Sequence, residues 1–177
     1  MRAGIIALLS AAAAPGPAAL AQGGPPAPGS EARPVEPGRF LSFVLSSATL
    51  QERAASLAAS RDTRPEVKAF AAEMARFRGP QIERLRAFAR ERGIDVLEGT
   101  AEFEHRVVLR NLEPLDYLAL SRRYAEVQAQ ALEQEVRGYD AAAAGRDAAL
   151  KALAEEMLPH LRPRLEEARN VIDAVRR

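Results

Sequence analysis

Apolar residues recur at three- and four-residue steps through most of the chain from residue 39 onward, and the longest such run organises the rest. From Thr63 to Gly93, Val67, Phe70, Ala71, Met74, Phe77, Leu85, Phe88 and Ala89 form one stripe, the spacing of an amphipathic helix. Thr63-x-x-Glu66 reads as a capping box, Pro65 suits the first turn, and Arg90, Arg92 and Gly93 suit a helix end. Before it, Phe40, Phe43, Val44, Ser47, Leu50, Ala54, Leu57 and Ala58 predict a helix over about 39–60. Only Arg61-Asp62 separates the two, so they should form an antiparallel hairpin.

Beyond a connection at 93–99, Phe103, Val107, Val108 and Leu112 predict a short helix over about 100–112. A long helix should start at Pro114 and run to about Arg137. It carries two apolar rows, one through Leu118, Ala125, Leu132 and Val136, the other through Leu120, Tyr124, Val127 and Ala131. A stripe that wide implies two packing neighbours. Gly138 and the tract 140–145 read as a turn. The last helix, about 146–175, carries Leu150, Leu153, Met157, Leu161, Leu165, Ala168, Ile172 and Val175, with Pro159 and Pro163 expected to bend or split it. Four long helices and one short one predict an all-α antiparallel four-helix bundle over residues 39–177.

The N-terminal 38 residues follow other rules. Met1-Arg2, the apolar stretch 3–14, the break Pro15-Gly16-Pro17 and the small residues of Ala19-Leu20-Ala21 have the three-part form of a signal peptide. The expected cut lies between Ala21 and Gln22, which sends the protein outside the cytoplasm, to a bacterial periplasm. Residues 22–38, rich in Pro, Gly and Ala and without apolar period, read as a flexible linker. After signal cleavage no segment is apolar enough to span a membrane.

Composition narrows the function classes. Of 177 residues 47% are hydrophobic but only 5% aromatic, which suits close helix packing rather than a large aromatic pocket. The formal net charge is +1, and loss of Arg2 with the leader would leave 24 basic residues against the 24 acidic ones. Long-range steering toward nucleic acid is not expected of a neutral protein. The absence of cysteine excludes disulfides and thiol chemistry. Neither a Gly-x-Ser-x-Gly elbow nor a glycine-rich phosphate loop occurs. The series Arg76, Arg78, Arg84, Arg86, Arg90 and Arg92 is interleaved with Glu73, Glu83 and Glu91, and reads as a solvated, self-paired helix face. Glu155-Glu156 reads as solvated too. Gly79-Pro80, inside the organising helix, is either a tolerated kink or a bend that opens a groove.

The run PEVKAFAAEM at 65–74, the later Leu158-Pro159-x-Leu161 with Leu165, and the secretory leader resemble a widespread family of bacterial exported proteins. Its members have a ferritin-like helical bundle and are usually described only as a domain of unknown function or a predicted outer membrane protein. The resemblance covers about Phe40 to Ile172. It implies histidines where this chain has Arg78 (after Phe77, in place of an Asp-His pair), the stretch 125–128, and Arg164. A di-iron bundle places a glutamate on each of two helices and Glu-x-x-His on each of the other two. Here one Glu-x-x-His exists, Glu102 to His105, and His160 follows Glu156 by one turn. Glu102, His105, Glu156 and His160 are therefore the candidate ligands of a degenerate metal-binding or redox protein. The preferred expectation is a non-enzymatic helical-bundle protein of the cell envelope with no cofactor, in a structural, stress-associated or protein-interaction role, with a protein partner or self-association.

Overall fold

The computed structural model describes residues 35–61, 63–96 and 100–177, the side chains of 100–103 excepted. The expected signal peptide, most of the linker and Asp62 lie outside these residues. The described residues form five helices and no strand: α1 (Pro37–Ser60), α2 (Pro65–Arg92), α3 (Thr100–Leu112), α4 (Tyr117–Ala143) and α5 (Ala148–Arg176). The protein is an all-α helical bundle, with the expected order of two long helices, a short one and two long ones.

Helix α1 starts two residues earlier than its apolar pattern suggests. Glu36 caps it, accepting from the amides of Gly38 at 2.9 Å and Arg39 at 2.7 Å, with Pro37 in the first turn. Those amides hold the Glu36 carboxyl below the ordinary value of 4.5. The capping box expected at Thr63 is not formed. The Thr63 hydroxyl turns back and donates to the Ala58 carbonyl at 3.2 Å, and Arg64 holds the cap position without a side-chain bond. The Arg64 amide instead donates to Ser121 Oγ of α4 at 3.0 Å, so a tertiary contact does the work of a local cap. At the other end of α2 the expectation holds. Gly93 adopts φ 60°, its amide reaching Arg90 and that of Ile94 reaching Ala89.

Pro114 does not begin α4; it lies in the turn after α3, and Asp116 takes the cap position of α4. Gly138 is no turn residue either, because α4 continues to Ala143. A β-carbon at Gly138 would stand 3.3 Å from the Phe43 ring and 3.7 Å from that of Phe40, so glycine serves the close approach of α1. One step on, Tyr139 meets Phe40 edge to face at 5.2 Å. Helix α5 is capped by Asp147 and is not split by Pro159 or Pro163, just as α2 runs unbroken through Pro80. All three prolines are exposed, so the carbonyls they leave unbonded are within reach of water.

The closest pairs are α1 with α2 and α4 with α5; α1 also packs on α4 and α2 on α5, while α3 lies mainly on α1. Opposite ends meet in each long pair. Gly38 at the start of α1 lies beside Asp95 just past α2, and Arg122 near the start of α4 bonds the Val175 carbonyl at the end of α5. Between α1 and α4 the Phe40–Tyr139 and Gln51–Gln128 contacts run the same way, as do Glu73–Arg164 and Arg84–Glu156 between α2 and α5. Both rows of α4 face inward, as two neighbours require. Leu41, Met74, Leu85, Leu120, Leu132, Leu153 and Leu161 are buried to 1% or less. Fully buried Ala48, Ala54, Ala55 and Ala58 keep the α1 seam narrow. Of the expected core residues with described side chains, Phe43 and Val107 are exposed, and Leu57, Phe77, Val108, Leu118, Val136 and Ile172 are half-buried.

Candidate functional site

The residues singled out for a metal fall in different surroundings. His105, on α3, is half-buried, and its Nδ1 lies 2.7 Å from Ser46 Oγ of α1. Glu156 is exposed on α5 and engages Arg84 of α2 through two bonds of 2.9 and 2.8 Å. His160 is exposed on α5, and the side chain of Glu102 lies outside the described residues. Among the described residues no group of three or more histidines and carboxylates is positioned to hold a metal ion.

The centre of the bundle holds a cluster that the apolar pattern conceals. Arg78 is completely buried, contrary to its expected place on a solvated face. Its Nη2 donates to Glu135 Oε2 of α4 at 2.8 Å and to Gln51 Oε1 of α1, and its Nη1 donates to Gln81 Oε1. Gln51 in turn donates to Ser47 Oγ at 3.0 Å, while Gln128 Nε2 donates to the Gln51 carbonyl at 2.9 Å. Gln81 Nε2 reaches Met157 Sδ of α5 at 3.8 Å. All four long helices therefore meet at one polar level. Satisfaction is incomplete there: among the described residues Arg78 Nε, Glu135 Oε1 and Gln128 Oε1 are buried without a well-formed hydrogen bond, and the hydroxyls of Tyr124 and Tyr139 have only the loose approach of Gln128 and Gln81. Burial pushes both tyrosine hydroxyls well above their ordinary value, and the Glu135 carboxylate adds to the effect at Tyr139.

Sequence reasoning passed over these residues for a specific reason. A step of three from Met74 reaches Phe77 and a step of four reaches Arg78; the apolar choice is the wrong one. The available signal was that Gln51, Arg78 with Gln81, and Gln128 with Glu135 each interrupt an apolar row. A lone interruption says little. Three that can meet at one level, with opposite charges among them, describe a buried network.

A second feature is a groove of about 660 Å³ bounded by α1, α2, α3 and the residues just after α2. Its apolar surface comes from Leu45, Leu50, Ala89, Ile94, Val96 and Leu109, and its rim carries Arg53, Arg86, Arg90 and Arg106 with Asp95 as the one carboxylate among the lining residues. Ser42, Ser46 and Thr49 line it as successive turns of α1, and His105 stands over Ser46. Ser42 and Thr49 donate to the carbonyls of Gly38 and Leu45. Volume and lining suit a small organic ligand.

No curated protein and no solved structure matches the chain. A family profile for a domain of unknown function, DUF4142, matches residues 23–171 and so reaches from the Pro- and Gly-rich stretch almost to the end of α5. The chain belongs to this family, DUF4142.

Proposed function

We propose that this is a non-enzymatic, exported helical-bundle protein of the bacterial cell envelope, with a structural, stress-associated or protein-interaction role. Its leader, cut between Ala21 and Gln22, delivers it to the periplasm. Its long helices form an antiparallel four-helix bundle with ferritin-like connectivity, α3 spanning the crossover between the two hairpins. The support is the meeting of opposite ends in each long pair, together with the distance α3 must cover from the end of α2 to the start of α4. The observation that carries the reading is Arg78 at the bundle centre. A metal centre of the ferritin-like kind needs several convergent carboxylates and imidazoles. The corresponding level here offers one carboxylate, Glu135, no imidazole, and a guanidinium that neutralises that carboxylate and repels a cation. These residues do not fit a di-metal site.

The test is elemental analysis of protein isolated from the periplasm, alongside sequencing of its N-terminus. The expected result is a chain starting at Gln22 with substoichiometric iron, copper and zinc. Stoichiometric metal lost on His105→Ala would support the alternative, a degenerate metal-binding protein using Glu102, His105, Glu156 or His160.

A further inference from the structure

We propose that the groove between α1, α2 and α3 binds a single-tailed amphiphile with an anionic head, carboxylate or phosphate. This stands apart from the metal-free reading, since the groove shares no residue with the Arg78 cluster. The first argument is charge. The rim brings together Arg53 from α1, Arg86 and Arg90 from α2 and Arg106 from α3, with Asp95 as the one carboxylate among the described lining residues. Cations from three helices converge on one concave surface of a chain whose overall charge is close to zero.

The second argument is that two of these cations have no anion assigned to them. Arg86 is paired with Glu83 at 2.7 Å. Arg53 and Arg90, both exposed, form no salt bridge among the described residues. A guanidinium offers a fork of donors that matches a carboxylate or a phosphate.

The third argument is the apolar surface between the rims. Half-buried Ile94, Val96 and Leu109 present hydrocarbon to the groove, over a floor of buried Leu45, Leu50 and Ala89. A purely inorganic anion would leave that surface wet, and a purely apolar ligand would leave Arg53 and Arg90 unanswered. An alkyl tail on an anionic head satisfies both, and the head would also meet the edge of the groove where α1 and α2 present Arg53 and Arg90.

The test uses the purified protein and amphiphiles below their micelle-forming concentrations. Dodecanoate and dodecyl phosphate are titrated against displacement of an anionic fluorophore, anilinonaphthalene sulfonate, with NMR shifts of the His105 ring as a local readout. Saturable binding that moves the His105 signals is expected, with dodecyltrimethylammonium and dodecanol at least about tenfold weaker. Arg53→Gln combined with Arg90→Gln should weaken dodecanoate by about tenfold or more, the scale of a lost charge-assisted hydrogen bond. Both residues are exposed, so the fold should tolerate the exchange, and Arg137→Gln on α4 should change nothing. Equal affinity for the cationic or neutral amphiphile, indifference to the double substitution, or inorganic phosphate binding as tightly as dodecyl phosphate would each overturn the proposal. Attachment to anionic phospholipid vesicles without uptake of monomeric dodecanoate would overturn it as well.

Discussion

Arg78 and Glu135 face each other at 2.8 Å with side chains exposed by 0% and 1%, so neither charge has solvent to fall back on. Desolvating two ions costs several kcal/mol each, and their attraction offsets that only while both are present and well bonded. Arg78→Ala or Glu135→Ala alone should therefore lower the unfolding free energy by about 3–5 kcal/mol in urea titrations. The double exchange Arg78→Met with Glu135→Leu should cost far less than the sum of the single changes, and could raise stability. A double exchange as costly as the two single ones added together would show that the pair is not coupled. This site was hidden in the sequence because arginine and glutamine on a helix are read as surface until something shows their row to be internal. Nothing local at Arg78 does so: Gln81 on the same helix is itself polar, and the other partners come from α1 and α4, far along the chain.

At the level of elements, apolar spacing located each of the five described helices, since burial on one face has the helical period whatever the tertiary detail. Its errors lie at ends and at glycine or proline, where local chemistry competes with packing. Thr63 has the composition of a cap but donates back to Ala58, and Gly138 has the composition of a turn but makes room for Phe43. Gly79-Pro80 fits the same account. A β-carbon at Gly79 would meet nothing within 4 Å beyond its immediate neighbours, yet the residue before a proline is crowded in helical conformation by the ring that follows. Glycine is the side chain that relieves that crowding. Pro80→Ala should restore the amide and stabilise the exposed middle of α2 by up to about 3 kcal/mol. Gly79→Ala should gain its ~1 kcal/mol of helix propensity only when Pro80 is also replaced. Thermal unfolding of the single and double variants decides this; an equal gain from Gly79→Ala in both backgrounds would contradict the crowding argument.

For the whole molecule, the two buried tyrosines tie stability to alkaline pH. Tyr124 and Tyr139 are neutral phenols in the fold, and burial raises both above the ordinary 10.0. An acid whose folded value is raised gives stability that is present below its unfolded value and lost as pH climbs past it. Stability should thus decline above about pH 10, and the phenolate absorbance of these two residues should appear together with loss of helical circular dichroism. Phenylalanine at both positions should flatten that decline; an unchanged slope would place the alkaline sensitivity elsewhere. The interior network also bears on the order of assembly. Glu135 follows Arg78 by 57 residues, so a chain threaded N-terminus first holds an unanswered cation in its leading hairpin until the trailing one arrives. Within that hairpin Arg78 has Gln51 and Gln81 as acceptors but no carboxylate, so closure of the bundle should be most favourable once α4 brings Glu135 to it.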